Sequence, residues 1–208
     1  MTDPHVPGFM RDHWWWRPGW REGRSFYTWH LTFADQPDVR RFAAEYRRAL
    51  DGLPGLDLIP DAWLHLTMQG IGFAGETAET TAEEIADAAA FRLAALPAFD
   101  ITLHAPVVDP EALLVPVHPQ GPVTRLRNAI RNAVGDVLAE VPETAEGFVP
   151  HVSLAYSNSD RPAAPFAEAL AATDIRPANA SITHADLIRI NRDHRMYEWS
   201  EVRSVRLG

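Results

Sequence analysis

The sequence predicts an α+β fold of two pseudo-symmetric lobes, each an antiparallel sheet with helices outside, facing a central groove. Three observations carry this expectation. Short segments alternate apolar and polar residues and are bounded by turn residues, as half-buried strands are. Segments with helical spacing lie between them and are separate from the hairpins, which argues against a doubly wound parallel sheet. The order of segments also repeats, with a step of roughly 85 residues from His65 to His151, too long for a solenoid unit.

Each element follows from its own pattern. Tyr27, Trp29, Leu31 and Phe33 share one face, with Thr28, His30 and Thr32 on the other, so this is a strand. Val39, Phe42, Ala43, Tyr46 and Leu50 have the spacing of a helix over 38–50. Segments 56–59 and 63–71 read as extended. Residues 80–96 form an alanine-rich helix that Pro97 ends. Segments 99–107 and 112–118 read as a hairpin turning at Asp109-Pro110. A helix over 123–138, a strand over 148–156 and a short helix over 165–172 follow. Segments 181–190 and 196–207 close the chain as a strand pair. In this order one half runs helix, strand with His65, helix, hairpin, and the other runs helix, strand with His151, helix, hairpin.

Residues 1–25 stand apart as an arm, and 26–208 form the single bilobal unit. The run Arg11-Asp12-His13-Trp14-Trp15-Trp16-Arg17-Pro18-Gly19-Trp20 has no period, and proline and glycine interrupt it. Packing onto the body is the favoured reading, because a row of exposed tryptophans is an aggregation liability. Stacking on a base is the other.

Composition narrows the chemistry. The 208 residues are 46% hydrophobic and 23% charged, as in a folded protein. There is no cysteine, so disulfides, thiolate metal sites and a cysteine nucleophile are excluded. The cytoplasm is the expected location, and neither a transmembrane stretch nor a signal peptide is legible. All 19 basic residues are arginine, which removes Schiff-base and P-loop lysine chemistry. The net charge of −9 opposes non-specific binding to long nucleic acid but permits a local grip on one phosphate. Histidine then supplies acid–base chemistry near neutral pH.

Two short motifs occupy equivalent places in the repeat. They are His65-Leu66-Thr67-Met68 and His151-Val152-Ser153-Leu154. Residues i and i+2 of a strand share a face. His65 with Thr67, and His151 with Ser153, therefore face one way, while Val152, Leu154 and Tyr156 face the other. Two imidazoles can act as acid and base in phosphodiester cleavage by water. Two hydroxyls can donate to the non-bridging phosphate oxygens. A His-x-Thr/Ser match is weak alone, and His30-Leu31-Thr32 is a third instance. The equivalent positions after similar helices carry more weight.

These two motifs, with Gly70-Ile71-Gly72 after the first and Pro150 and Ala155 flanking the second, resemble the paired motifs of the 2H phosphoesterase superfamily. The branch most similar is the bacterial 2′-5′ RNA ligase and cyclic phosphodiesterase group. The resemblance implies a bilobal fold and metal-independent opening of 2′,3′-cyclic phosphates on RNA ends or nucleotides, to a 2′-phosphate. It implies catalytic His65 and His151 and phosphate-binding Thr67 and Ser153, with His65 as acid and His151 as base. It implies no cofactor, a nucleotide or RNA terminus as substrate, and no obligate protein partner. Cleavage or ligation of 2′-5′ linkages, a specialised small cyclic phosphate, and a non-catalytic RNA-end binding module stay open. Serine stands in the second motif where threonine is common, and Met68-Gln69 departs from the usual continuation of the first.

Other residues are weighed against plain structural roles. His30 lines the groove or is a satisfied histidine. Trp63 shares the His65 face and can stack on a base. Tyr156 packs. Arg192, His194 and Arg195 read as a solvated turn. A metal site from His30, His104 and His118 lacks local spacing, so no metal is expected.

Overall fold

A computed structural model describes residues 6–208, and the first five residues of the 1–25 arm lie outside the described residues. In chain order the first elements are β1 (Phe9–Met10), β2 (Phe26–Thr32), α1 (Pro37–Ala49), β3 (Leu56–Leu58), a 3-10 turn (Asp61–Trp63), β4 (His65–Phe73) and α2 (Glu79–Leu93). Next come β5 (Phe99–Leu103), β6 (Val107–Val108), β7 (Ala112–His118), α3 (Gln120–Val137) and β8 (His151–Ser157). The last are β9 (Arg161–Pro162), α4 (Ala164–Ala171), β10 (Ala178–Ile182), β11 (His184–Asn191) and β12 (Glu198–Arg206).

Two antiparallel sheets face each other across the groove. The first runs β12-β11-β2-β4, and the second runs β10-β5-β7-β8-β3 with β6 beside β7. Helices α2 and α3 pack on the first sheet, and α1 and α4 on the second. Each helix buries one stripe, such as Val39, Phe42, Ala43 and Tyr46 of α1. On β2 the buried Tyr27, Trp29, Leu31 and the adjoining Phe33 form the core face, as the alternation predicts. Among the described residues no helix is long and apolar enough to cross a membrane.

Pairing differs from the sequence reading in an instructive way. The hairpin of the first half, β5 and β7, joins β8 of the second half. The closing hairpin, β11 and β12, joins β2 and β4 of the first half. The two halves therefore exchange hairpins, and neither lobe is a continuous piece of chain. The expected strand over 181–190 is two strands in different sheets, β10 on β5 and β11 on β2. Its apolar parity breaks between buried Ile182 and buried Ala185, three residues apart. The expected strand over 99–107 is likewise interrupted, and Pro106, which has no N–H to give a ladder, lies in the gap.

Candidate active site

β4 begins with His65 and β8 with His151, and the two rings are held alike. His65 Nδ1 lies 2.8 Å from the Trp63 carbonyl, and His151 Nδ1 lies 2.8 Å from the Val149 carbonyl. A carbonyl only accepts, so each Nδ1 carries the hydrogen and each Nε2 is left for the groove. Both rings, with Thr67 and Ser153, line one cavity of about 540 Å³. The sheet parity that places hydroxyl beside imidazole thus holds in both motifs.

Burial sets the charge state of the first ring. His65 is buried, and desolvation is the main reason its pKa falls to about 4. The Trp63 carbonyl pulls it up, and the His151 charge pushes it down further. At neutral pH the free groove therefore holds His65 as a neutral ring, a proton acceptor until something anionic arrives.

His30 belongs to this cluster. It pairs directly with Thr67 across β2 and β4, and its Nε2 lies 3.4 Å from Thr67 Oγ1. Its ring stacks on His65, centroids 4.3 Å apart and planes 3° from parallel. Complete burial and the His65 charge hold its pKa well below the ordinary imidazole value. Two stacked imidazoles at this spacing stay neutral together at pH 7. The trio His30, His104 and His118 is not assembled: among the described residues no three His, Asp or Glu side chains cluster as metal ligands.

Trp63 is not a groove residue, which corrects the sequence reading. It sits in the 3-10 turn rather than in β4, so the strand parity assumed for it does not apply. Its ring packs on Trp199, 4.7 Å between centroids, beside a second cavity. Its contribution to His65 is the carbonyl.

Tyr156 packs, buried as the sequence reading has it, and a bulge in β8 decides on which side. On the β7–β8 ladder Leu114 opposes Ser153 and Leu113 opposes Ala155, so Leu154 is an extra residue. Such a bulge reverses the parity beyond it, and Tyr156 turns to the same cavity as His151 and Ser153. Its ring stacks on His13 at 4.3 Å. β4 has two bulges of the same kind, at Met68 and Ile71. The first turns Gln69 away from the cavity. Its buried amide donates to the Pro142 carbonyl at 2.6 Å and accepts from Arg131 at 2.6 Å.

The arm forms one end of the cavity through His13, Arg17 and Trp20. His13 Nε2 is 3.0 Å from the Tyr197 hydroxyl. Burial, then Arg17 and Arg192, lowers its pKa to about 3. The 3.4 Å approach of Glu111 to His13 is therefore a contact with a neutral ring, and the ion pair of Glu111 is with Arg17 at 2.6 Å. Arg192 is only 3% exposed, enclosed by Trp14, Trp16, Trp20 and Tyr197, and gives Nη2 to the His13 carbonyl. The expected solvated turn holds for exposed His194 and Arg195 but not for Arg192.

A family profile described as the 2′-5′ RNA ligase superfamily matches residues 34–194. The chain belongs to that superfamily. No curated protein matches the chain. Solved structures with the same fold include TT0787 of Thermus thermophilus, with TM-score 0.66 and 19% identity, over 88% of this chain and 97% of that one. The apo form of E. coli LigT has TM-score 0.61 and 15% identity over 89% and 97%. LigT complexed with 3′-AMP has TM-score 0.62 and 14% identity over 89% and 98%. At these identities the likeness shows the fold, and it agrees with the bilobal α+β expectation. The superfamily profile covers both histidine motifs, whereas His13, Arg17, Trp20 and His30 precede it.

Proposed function

We propose that this superfamily member is a metal-independent phosphodiesterase that opens 2′,3′-cyclic phosphates on RNA ends or nucleotides to 2′-phosphates. One observation carries the reading: two histidines with identically tied Nδ1 atoms, each followed two residues on by a hydroxyl, line a single cavity. His151 Nε2 takes a proton from water as the water oxygen attacks phosphorus in line. The bond from phosphorus to O3′ breaks, and His65 Nε2–H gives its proton to O3′. Thr67 and Ser153 donate to the non-bridging oxygens as their charge grows.

The burial of His65 fits this sequence of events if substrate supplies the missing charge. A phosphodiester monoanion beside Nε2 favours the imidazolium, so the ring acquires its proton with the substrate. His30, stacked behind it, fixes the ring plane. LigT has been captured with 3′-AMP, which supports a nucleotide as the kind of ligand this groove accepts.

The test is turnover of the four nucleoside 2′,3′-cyclic monophosphates in EDTA, resolving 2′- from 3′-phosphate. His65→Ala and His151→Ala are each expected to lose roughly 10²–10⁴-fold in kcat, with unchanged far-UV and near-UV circular dichroism. Wild-type turnover in either variant refutes the site. Tight binding without turnover in the parent protein would establish a binding module instead.

A further inference from the structure

The chain between α3 and β8 runs along the outer edge of β4 and is pinned there. The pin starts at Gln69, where the first motif departs from its usual continuation. Gln69 Nε2 donates to the Pro142 carbonyl at 2.6 Å. Arg131 Nη1 donates to the Gln69 side-chain oxygen at 2.6 Å and to the Glu143 carbonyl at 3.1 Å. Arg127 donates to the Thr144 and Ala145 carbonyls at 3.0 and 3.1 Å and, through Nε, to the Met68 carbonyl of β4 at 2.7 Å. The carbonyls of residues 142 to 145 are thus each held by a side chain. Within this run Glu143 has φ 61°, a left-handed backbone that is unfavourable for any residue with a Cβ.

This loop sets where one carboxylate sits. Gly70 N donates to Glu143 Oε2 at 3.4 Å. A Cβ on residue 70 would lie 2.6 Å from Glu143 Oε1 and 2.9 Å from the Phe26 ring. Glycine at 70 therefore makes room for a carboxylate beside an aromatic face, and Glu143 and Phe26 both line the cavity of His65 and His151. Glu143 is half exposed, so acceptor positions beyond the one Gly70 uses stay open. Arg127 Nη2, 3.9 Å away, balances its charge from beyond hydrogen-bond distance. The other two lining carboxylates are engaged: Glu111 holds Arg17 and Trp15 Nε1, and Asp109 accepts from Glu111 N at 3.1 Å.

The β2–β4 register measures the distance to the proposed reaction. Thr67 lies opposite His30 and Gly70 opposite Thr28, two residues apart on β2, which is about 7 Å along the strand. On the proposed reaction, on which this inference rests, Thr67 holds the phosphate. Glu143 then lies about a ribose away, where the edge of the base falls.

We infer that Glu143 reads the base, and that the base is guanine. An ionised carboxylate only accepts. Guanine alone among the four bases presents two adjacent donors, N1–H and the N2 amino group, so both carboxylate oxygens are met at once. Adenine and cytosine present one amino donor beside a ring-nitrogen acceptor, and uracil presents one N–H between two carbonyls. Each of these sets a lone pair against the carboxylate. The Phe26 ring supplies a stacking face for the purine.

The experiment measures kcat/KM on the four nucleoside 2′,3′-cyclic monophosphates and on the inosine compound, which keeps N1–H and lacks the amino group. Guanosine is expected to lead the other three by roughly tenfold or more, with inosine in between. Glu143→Gln puts a donor in place of one acceptor and is expected to abolish the lead, a ratio unaffected by the fraction of folded enzyme. Gln69→Leu, which unpins Pro142, is expected to narrow the same ratio with both histidines intact. Equal turnover, a lead by another base, or a guanosine lead that survives Glu143→Gln overturns the inference and leaves the phosphodiesterase reading standing. If none of the compounds is turned over, that reading falls, and calorimetric binding decides the inference. Guanosine 2′-monophosphate bound roughly tenfold tighter than adenosine 2′-monophosphate sustains it, and equal affinity overturns it.

Discussion

An anion in the groove is expected to raise the His65 pKa by two units or more. In the free protein that pKa is pushed down to about 4, chiefly by burial. At pH 7 roughly one ring in a thousand then carries a second proton. A unit negative charge about 4 Å from Nε2, at an effective dielectric near 20, favours the cation by ~4 kcal/mol. At 1.36 kcal/mol per unit that is about three units, which restores a value near 7. Histidine 13Cε1 shifts, followed by NMR from about pH 5.5 to 8.5 with and without sulfate, measure this directly. Sulfate stays a dianion throughout the range, so it adds no titration of its own. The His65 resonance, identified by its loss in His65→Gln, should be flat without sulfate and show a step near pH 7 with it. Sulfate affinity should also rise as pH falls from about 7, because the ligand binds the protonated ring. A step near pH 6.5 without anion would contradict the effect of burial. A flat trace at sulfate saturation would remove His65 as the acid and make it the base.

Two further outcomes follow from the same structure. His13 and His65 have folded pKa values of about 3 and about 4 against 6.5 when unfolded. Folded values lie below unfolded ones, so this stability is fully present above pH 6.5 and is lost as pH falls from 6.5 through about 4 for His65 and on to about 3 for His13. At 1.36 kcal/mol per unit the two sites together forfeit up to ~8 kcal/mol, comparable with a whole domain's stability; His30 adds to it in the same direction. Urea midpoints at successive pH values should fall steeply below about pH 6, and an unchanged midpoint between pH 7 and 5 would refute the burial of these rings. Gly19 has φ 81°, and a Cβ there would lie 2.5 Å from the Phe73 ring. Gly19→Ala is expected to cost about 1–2 kcal/mol from the left-handed backbone alone and to lower Tm by several degrees. Gly8→Ala, with nothing within 4 Å, is the matched control.

The sequence made the proposed reacting groups legible because they lie within two residues of each other on strands, where parity is reliable. His65 with Thr67, and His151 with Ser153, need no information from elsewhere in the chain. Legibility fails at the first bulge. Met68, Ile71 and Leu154 are each an extra residue relative to a partner strand, and an unaligned strand carries no sign of that. Simple parity thus puts Tyr156 on the aliphatic face of β8, whereas its buried ring borders the cavity. Trp63 fails for a related reason, since the tight turn before β4 ends the alternation that would have aimed its ring. The hairpin exchange and the burial of Arg192 depend on contacts between segments from about 35 to 179 residues apart, which local patterns do not report. The His13–Arg17 end of the cavity had a sequence cue, polar residues set inside an aromatic run, but no period to orient them.

The arm has a consequence for the order of assembly. It leaves the ribosome before the strands it rests on, and its anchors come much later: Asp12 bonds residue 160, Gly23 bonds residue 193, and His13 receives Arg192 across 179 positions. Contacts of such separation form slowly, because the loop they close must be ordered first. During synthesis Trp14 waits for Tyr156 and Tyr197 to follow, and apolar surface exposed in a nascent chain invites aggregation meanwhile. The strands of the two histidine motifs pair with nearer segments, β4 with β2 and β8 with β7. On the proposed reading, a newly made chain brings its reacting groups into place before the arm closes one end of the cavity beside them.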